Sequence, residues 1–348
     1  MMNFCRKAFK KIKLFVLYWT RIVFVRNNFQ VSFWNKLRMN LCGGFLADQY
    51  VLYDFKHNDR KEYLSEFDWY RSRYINEPFD FAFNNKVVCA EILQQYIRVA
   101  ENYFIKNKGI VLDFEKGPRD CQAIYACLMQ EGKLIIKPFA LGKGNGVHLL
   151  EAGNLQLRID GVLCNQEQLL AQLESWQDYI VCEYINQHSY AASLYRKTVN
   201  TIRMITMRDI ETHRVKVFFA VQRIGTAKTI PVDNGSKGGL VAKIDLATGR
   251  LSEARCLHDR ELYYHHPDSG EQIEGCEIPN WGEIKKEILE VADRVPFMDF
   301  IAWDLVVTED GICVIEANTS SGVNIIQLWG GQRNGGLGEF FRYYNVVQ

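Results

Sequence analysis

Residues 301–318 restrict the fold more than any other part of the sequence, because they predict a buried β-hairpin. Both arms are apolar and rich in β-branched residues, which favours buried strands. Residues 309–311 between the arms read Glu-Asp-Gly, which is typical of a three-residue turn whose glycine has positive φ. The arms nevertheless contain polar side chains, and the turn determines where these point.

The register set by this turn brings three oxygen-bearing side chains together. Thr308 is predicted opposite Ile312, and Asp304 opposite Glu316. Asn318 shares their face of the sheet because side chains alternate along a strand. Two carboxylates this close repel each other unless a cation lies between them, and oxygen ligands without His or Cys suit Mg²⁺ that also binds phosphate. The alternative is a partly exposed strand face with ordinary polar residues.

Length, composition and charge indicate a folded protein with a basic N-terminal arm. The 348 residues are 48% hydrophobic and 24% charged, with a formal net charge of +1. The first forty residues contain nine of the 42 Lys and Arg residues and no acid, so the remainder is acidic. Such an arm favours a negatively charged partner surface, either lipid or nucleic acid.

The arm is predicted to form an amphipathic helix over residues 4–25. Five apolar residues fall on one stripe of that helix: Phe9, Ile12, Val16, Trp19 and Val23. The pattern fits an interfacial helix on anionic lipid, and the alternative is a helix docked on the body with its basic face in water. Nucleic acid is not expected, because no recognisable binding module accompanies the charges.

The cysteines and the apolar runs favour a cytoplasmic protein. The ten cysteines form no C-x-x-C pair and no zinc-binding spacing, which is typical of a reducing compartment. The apolar run 14–20 is too short for a secretory core or for a membrane span of about 20 residues. If the arm binds lipid, the protein is expected at the inner face of the membrane.

Four regions follow one another along the chain. Residues 1–45 are the basic amphipathic segment, and residues 46–108 are predicted to be mainly helical, with the clearest helical pattern at 91–104. Residues 109–186 and 187–348 alternate groups of strands with helices. Antiparallel groups of strands with helices between them predict an α+β fold.

A lysine and a run of glycines follow a short apolar strand. Lys137 ends the predicted strand 133–138, where a buried ammonium group needs an anion. Glycines at 142, 144 and 146 leave backbone N–H groups accessible to phosphate oxygens, although the spacing does not match the Walker P-loop. A mobile loop without a ligand is the alternative.

Three further signals are less specific. The predicted strand 179–185 becomes polar after Glu183. Such a strand end is typical of a site that binds the edge of adenine, and the alternative is a strand that simply ends in water. Arg203 and Arg223 lie within apolar strands and need anionic partners, either a substrate phosphate or carboxylate or an acid of the protein. The glycine-rich segment 233–239 is typical of a substrate loop or of a plain connection.

In this order the signals resemble those of the ATP-grasp superfamily, which includes D-alanine–D-alanine ligase and glutamate-adding ligases. Residues 200–250 are similar to the sugar-transfer-associated ATP-grasp family. The segments that carry this are Asn200-Thr201-x-Arg203, Arg223-Ile224-Gly225, Val232-Asp233-Asn234, Gly238-Gly239 and Asp245-x-x-Thr248-Gly249. The resemblance covers residues 80–340. It implies two α+β subdomains, 109–186 and 187–348, that grip ATP between antiparallel sheets, with a helical N-terminal region.

The resemblance also implies roles for individual residues. The ATP phosphates would contact Lys137 and the loop residues Gly142, Lys143, Gly144, Asn145 and Gly146. Adenine and ribose would contact Glu183, Tyr184, Ile185, Asn186 and His188. One or two Mg²⁺ ions would bind Asp304, Glu316 and Asn318. Arg203, Arg223 and Lys137 would act in catalysis, and the other substrates would contact Asp233, Asn234, Gly238, Gly239, Ser320 and Ser321. A second phosphate lysine stays open between Lys86 and Lys116.

The implied activity is that of an ATP-dependent carboxylate–amine ligase acting through an acylphosphate. Surface-polysaccharide biosynthesis is the implied setting, with an amino acid or amine attached to a small-molecule or lipid-linked sugar. A kinase with the same nucleotide site and a non-catalytic, membrane-associated nucleotide-binding protein are the alternatives.

Overall fold

The computed structural model describes residues 2–139 and 146–347, and side chains from residue 8 onward. The strands are β1 Asn102–Asn107, β2 Ile110–Asp113, β3 Gly117–Arg119, β4 Lys133–Pro138, β5 His148–Gly153, β6 Gln156–Ile159, β7 Val162–Cys164, β8 Tyr179–Glu183, β9 Ile202–Arg208, β10 Val215–Ile224, β11 Leu240–Ile244, β12 Leu251–Cys256, β13 Phe300–Thr308 and β14 Gly311–Asn318. The α-helices are α1 Met2–Tyr18, α2 Phe33–Leu41, α3 Ala47–Leu52, α4 Glu66–Ser72, α5 Asp80–Asn84, α6 Lys86–Leu93, α7 Cys121–Glu131, α8 Gln166–Ser175, α9 Ser189–Leu194, α10 Trp281–Arg294, α11 Val323–Ile326 and α12 Gly336–Tyr343.

The first sheet has eight antiparallel strands in the order β3-β2-β1-β8-β4-β5-β6-β7. Helices α7 and α8 cover it with apolar residues such as Ile124, Leu128 and Leu169. The predicted boundary between residues 108 and 109 lies inside this sheet, because β1 begins at Asn102 and pairs with β8.

The second sheet has six antiparallel strands in the order β12-β11-β10-β9-β13-β14. Helix α10 covers one face, and α12 packs on the other together with the C-terminal residues. All nine residues of β13 are buried between these layers. The predicted α+β class with antiparallel sheets is therefore confirmed.

Helix α10 shows how the sequence selects this packing. Trp281, Ile284, Ile288 and Val291 are buried and recur at helical spacing, so they form one apolar stripe against the second sheet. Burying one such side chain contributes roughly 1.5–3 kcal/mol. Pro296 follows closely and disfavours continuation of the helix.

The helical pattern predicted for residues 91–104 is wrong over most of its length. Helix α6 ends at Leu93, and the following residues turn toward β14. Ala100 donates its N–H to the Val314 carbonyl at 3.3 Å, and Val314 donates to the Arg98 carbonyl at 2.9 Å. Pairing of the backbone with β14 and β8 outweighs the amphipathic pattern of the side chains.

Helix α1 turns its apolar stripe away from the body. Phe9, Ile12, Phe15 and Val16 are 71%, 61%, 64% and 51% exposed. On the body side, Lys10 Nζ lies 3.9 Å from the centre of the Tyr74 ring. The arm thus docks through Leu14, Tyr18 and Ile22, whereas Lys11 and Lys13 are exposed together with the predicted stripe. Within the described residues, no helix is both long and apolar enough to cross a membrane.

Candidate functional site

Asp304 lies in the middle of the second sheet, directly opposite Arg203 on the neighbouring strand β9. Arg203 donates from Nε to Oδ1 of Asp304 at 2.6 Å and from Nη2 to Oδ2 at 2.9 Å. Arg223 adds Nη2 at 3.4 Å from Oδ1. Burial would raise the pKa of Asp304, but the guanidinium groups of Arg203 and Arg223 lower it below the ordinary value, so the buried carboxylate is ionised.

Arg223 connects this ion pair to a second buried acid. Its Nε donates to the Thr201 hydroxyl at 2.8 Å and lies 3.5 Å from Oδ2 of Asp233. Burial would lower the pKa of Arg223, whereas the carboxylates of Asp233, Asp304 and Glu316 raise it above the ordinary value. In this structure the two arginines therefore meet carboxylates of the protein, which was one of the two predicted possibilities.

The predicted pairing of Asp304 with Glu316 is confirmed, although the predicted turn is wrong. Thr308 pairs with Gly311, so the hairpin closes with a two-residue turn. A shift in register beyond Asp304 then leaves Ile315 as an extra residue in β14, and this bulge restores the pairing with Glu316. The turn and the bulge each move the register by one residue, in opposite directions.

Two lysines meet the same hairpin from other elements. Lys86, the first residue of α6, places Nζ 3.2 Å from Oε1 of Glu316. Lys137 of β4 donates from Nζ to the Ile315 carbonyl at 3.4 Å. Both lysines and Glu316 line a cavity of about 20 Å³, room for about one water, between the two sheets. Lys116 is exposed between β2 and β3, so Lys86 is the lysine that the fold brings to Lys137.

The hairpin offers two carboxylates and one amide as oxygen donors. Asn318 pairs with Ala302, two residues from Asp304 along β13, and therefore lies on the same face as Asp304 and Glu316. Among the described residues, no group of three or more His, Cys, Asp or Glu side chains could hold a metal ion. Carboxylate and amide oxygens suit Mg²⁺ shared with phosphate oxygens, and in this structure both oxygens of Asp304 accept from Arg203.

Among the described residues in contact around Asp304 and Glu316, cations outnumber carboxylates. Four positive groups surround three negative ones: Lys86, Lys137, Arg203 and Arg223, with Asp233, Asp304 and Glu316. A polyphosphate that entered here with a divalent cation would therefore meet compensating charge.

The residues predicted to hold adenine follow β8. Oε1 of Glu183 lies 2.8 Å from Nη2 of Arg98, and Oε2 accepts from the Glu101 backbone N–H at 3.3 Å. Lys133 Nζ lies 5.0 Å from the centre of the Tyr184 ring, and burial raises the pKa of Tyr184. Glu183 is therefore held in place by the first sheet and by the segment that precedes β1.

The rest of this segment connects the two sheets. Ile185 is buried against Val306 of β13, and Asn186 is exposed. His188 begins α9, where its Nδ1 accepts from the Tyr190 backbone, and its Nε2 lies 3.2 Å from Oε2 of Glu309 at the hairpin tip. In this structure the predicted nucleotide ligand His188 thus contacts the tip of the hairpin.

The predicted substrate loop is anchored from inside. Oδ2 of Asp233 accepts from the backbone N–H of Thr201 at 2.8 Å and from its hydroxyl at 2.5 Å. The Asn234 side chain accepts from the backbone N–H of Ser236 at 2.9 Å. A Cβ on Gly239 would lie 2.6 Å from the Asp233 carbonyl oxygen, so this position requires glycine. Gly238 has φ +100°.

Ser321 is the predicted substrate residue that lies nearest the ion pair. Its buried hydroxyl accepts from Nη1 of Arg203 at 3.4 Å, whereas Ser320 is half-buried. The preceding Thr319 donates its hydroxyl to Oδ1 of Asn84 at 3.1 Å, which ties the end of β14 to α5. Of the predicted phosphate loop, Gly146 is described and has φ +69°, and Gly142, Lys143, Gly144 and Asn145 lie outside the described residues.

Two residues that support the site were missed in the sequence. Arg98, which pairs with Glu183, was not identified because residues 91–104 were predicted to be helical. Its position follows only from the pairing of this segment with β14. Asn84 acts through one side-chain oxygen on Thr319, and no sequence pattern marks it.

Comparison with protein families gives one match that covers most of the chain. The model of the sugar-transfer-associated ATP-grasp family matches residues 68–335. None of the curated proteins matches the sequence significantly.

Solved structures show only distant likeness. D-alanyl-alanine synthetase A from Vibrio cholerae is 11% identical at a TM-score of 0.41, with 71% of this chain and 58% of that chain covered. D-alanine–D-alanine ligase from Bacillus anthracis is 15% identical at a TM-score of 0.36, with 69% of this chain and 58% of that chain covered. The ATP-grasp ligase PsnB, complexed with a precursor variant, Mg and ADP, is 14% identical at a TM-score of 0.37. The match covers 71% of this chain and 53% of that chain. The chain thus spans little more than half the length of these structures.

Proposed function

The chain belongs to the sugar-transfer-associated ATP-grasp family, and on this premise we propose that it is an ATP-dependent carboxylate–amine ligase. The observation that carries the proposal is the meeting of Lys86 and Lys137 with Glu316 between the two sheets. Two cations from separate elements converge on a hairpin whose oxygen donors suit a metal ion, as a metal–polyphosphate substrate requires.

Each group of site residues would bind a different part of the Mg-ATP complex. Lys86, Lys137 and the 142–146 loop would hold the phosphates of ATP, and residues 183–188 would hold the base and the ribose. Asp304, Glu316 and Asn318 would hold one or two Mg²⁺ ions, which when bound neutralise charge on the phosphates.

The proposed reaction has two steps and needs no covalent bond to the protein. An oxygen of the substrate carboxylate attacks the γ-phosphorus of ATP, the bond to the β–γ bridging oxygen breaks, and ADP leaves. The amine nitrogen then attacks the acyl carbon of the acylphosphate and expels inorganic phosphate, while one proton leaves the nitrogen. Arg203 and Arg223 would steady the transferred group and the substrate carboxylate, and Ser320, Ser321 and the 233–239 loop would face the substrates.

The proposed setting is surface-polysaccharide biosynthesis, with an amino acid or amine joined to a sugar. Membership of a sugar-transfer-associated family supports this setting, and so does the outward apolar stripe of α1. Exposed Phe9, Ile12, Phe15 and Val16 lie in a segment with nine basic residues and no acid. An apolar face flanked by cations complements an anionic bilayer, so we propose that residues 1–40 hold the protein at the inner membrane surface, next to a lipid-linked sugar.

Product analysis tests the ligase proposal. Purified protein is incubated with ATP, Mg²⁺ and pooled carboxylates and amines. ADP, inorganic phosphate and an amide support a ligase, whereas ADP with a stable phosphorylated product points to a kinase. Glu316→Ala is expected to abolish turnover, and Asp310→Ala, which removes an exposed acid from the same hairpin, is expected to leave it unchanged. A fully active Glu316→Ala protein would overturn the assignment of this site.

A further inference from the structure

A large pocket lies apart from the residues that meet at the hairpin, and its lining comes from residues 8–14, 71–75 and 344–346. Its volume is about 590 Å³, and it is formed by α1, by the end of α4 with the residues after it, and by the C-terminal turn. Its walls are mainly apolar, with Leu14, Ile75 and Val346 beside the rings of Tyr74 and Tyr344. A pocket of this size with a few polar groups is typical of a site for a small organic ligand.

Among the described residues, the lining of the pocket contains three cations and no acid. Lys10 lies 3.5 Å from Glu77, a long contact, and Arg71 pairs with Asp68. Nε of Arg71 is nevertheless buried and has no hydrogen-bond partner among the described residues. Because that nitrogen is closed to solvent, a ligand in the pocket would meet the exposed part of the Arg71 side chain, which is 35% exposed.

Lys11 supplies the third cation. It is exposed on α1, lines the pocket, and makes no hydrogen bond or ion pair with the residues that the structure describes. Lys13, two residues further along the same helix, is also exposed, and its Nζ lies 5.9 Å from the centre of the Tyr74 ring at the edge of the pocket. Positive charge is thus directed into a cavity with apolar walls.

We infer that this pocket binds a phosphate ester carried on a hydrocarbon chain. Lys10, Lys11 and Arg71 would hold the phosphate, and Leu14, Ile75 and Val346 would contact the first carbon atoms of the chain. The inference rests on the membrane orientation proposed above, because the outer face of α1 would then lie at the lipid surface with the pocket directly beneath it.

The pocket is connected to the candidate active site through β13. Ile75 precedes Asn76, which donates from its side chain to the Phe300 carbonyl at 2.7 Å. Phe300 is four residues from Asp304 along β13, about 13 Å at the usual rise of a strand. Phe300 and Asp304 share one face of β13, so this strand links the wall of the pocket to the candidate active site, and a lipid held in the pocket would extend toward the site rather than lie within it.

Titration of single lipids in neutral detergent micelles, without ATP, tests the inference. Full-length protein is titrated with a polyprenyl phosphate, with phosphatidylglycerol and with inorganic phosphate. Saturable binding of one molecule of either lipid supports the inference, and the ratio of their affinities identifies which lipid is preferred. Equal affinity for inorganic phosphate, or lipid binding that does not saturate, would overturn it.

Two variants separate the pocket from the general charge of the basic arm. Lys11→Gln is expected to weaken lipid binding about fivefold, the effect of one cation beside a phosphate, whereas Lys36→Gln, at a lysine of the same basic arm outside the pocket lining, changes it less than about twofold. Ala8→Trp fills the pocket without changing the charge and is expected to abolish saturable binding at an unchanged unfolding midpoint. Equal losses for Lys11→Gln and Lys36→Gln would show general attraction only. Because no nucleotide is present, failure here is distinct from failure of the ligase assay.

Discussion

Arg203 and Asp304 form a buried two-point ion pair between adjacent strands, with Nε to Oδ1 at 2.6 Å and Nη2 to Oδ2 at 2.9 Å. The proposed metal ligand Asp304 is therefore ionised and fixed in orientation by the protein itself. A Mg²⁺ ion that binds Asp304 would therefore share its oxygens with these guanidinium groups, while the fixed orientation limits the side-chain freedom that is lost on binding.

Removal of one partner of this pair is expected to destabilise the fold. Arg203→Met leaves the carboxylate of Asp304 buried with Arg223 alone, and the expected loss in the free energy of unfolding is about 3–5 kcal/mol. The matched control is Arg250→Met, which breaks an exposed pair with Glu277 at 2.6 Å and is expected to cost at most about 1 kcal/mol. Chemical unfolding measures both, and equal effects would show that burial does not matter at Asp304.

The hairpin shows how far the sequence alone determines this site. Alternation of apolar residues predicts the two strands, and the pairing of Asp304 with Glu316 is correct. The turn was predicted one residue too long, and the compensating bulge at Ile315 has no signature in the sequence, because it depends on packing between the sheets. The correct pairing therefore came from two displacements that cancel.

Long-range contacts explain the other differences. Lys86 and Lys116 are equivalent as sequence candidates, and only the fold brings Lys86 to Glu316. The segment 91–104 has helical periodicity, but its backbone pairs with β14 and β8. The sequence correctly predicts that α1 is amphipathic, but the periodicity of apolar residues does not determine which face of the helix packs against the rest of the protein. The pattern of apolar residues thus predicts local secondary structure, and contacts with residues distant in the sequence determine how each element packs.

Nucleotide binding is expected to separate Lys86 from Lys116. Lys86→Met and Lys137→Met each remove a cation that faces the hairpin and are expected to weaken binding of Mg-ATP at least about tenfold, as for a charge-assisted contact. Lys116→Met removes an exposed cation and is expected to leave affinity unchanged. Calorimetric titration gives the three dissociation constants, and a loss confined to Lys116→Met would reverse the assignment.

A buried histidine predicts how stability depends on pH. His266 donates from Nε2 to the Gly225 carbonyl at 2.8 Å, and its Nδ1 accepts from the backbone N–H groups of Asp268 and Ser269, both at 3.2 Å. Burial lowers the pKa of His266 below its ordinary value of 6.5, against the opposing effects of Gly225 and Asp268. The neutral ring satisfies all three contacts, whereas a protonated Nδ1 would face two donors.

The sign of the effect follows from that shift. Below pH 6.5 the unfolded chain binds more protons at this residue than the folded chain does, so the free energy of unfolding falls as the pH drops from 6.5 toward the lower folded pKa. The stabilising contribution of the neutral His266 ring to the free energy of unfolding is fully present above pH 6.5. Unfolding curves at several pH values should show this fall, and His266→Gln should reduce it. His265→Gln, an exposed neighbour, should keep the wild-type slope, and identical slopes in both variants would contradict the assignment.

Gly225 is expected to tolerate no side chain. A Cβ at this position would lie 2.2 Å from the hydroxyl oxygen of Thr198 and 2.5 Å from its methyl carbon, and Thr198 is buried. Gly225→Ala should therefore lower the free energy of unfolding by about 1–3 kcal/mol. Gly282 in α10 has open space around it, so Gly282→Ala should instead stabilise the helix by up to about 1 kcal/mol. Opposite shifts of the thermal midpoint are expected, and shifts of the same sign would contradict the packing at Gly225.

The exposed stripe of α1 is expected to act only when a membrane is present. Ile12→Asn combined with Phe15→Asn removes two apolar side chains that are 61% and 64% exposed, so the free energy of unfolding should change little in solution. If the stripe enters lipid, each side chain contributes roughly 1.5–3 kcal/mol, and the pair should weaken sedimentation with anionic vesicles more than about tenfold. Leu155→Asn with Val162→Asn is the matched control, because Leu155 in the turn before β6 and Val162 in β7 are exposed apolar residues outside the arm. Vesicles of neutral lipid should bind the wild-type protein less tightly, since the basic residues then lose their attraction. Equal sedimentation of the two double variants would show that α1 presents its apolar side to something other than a bilayer.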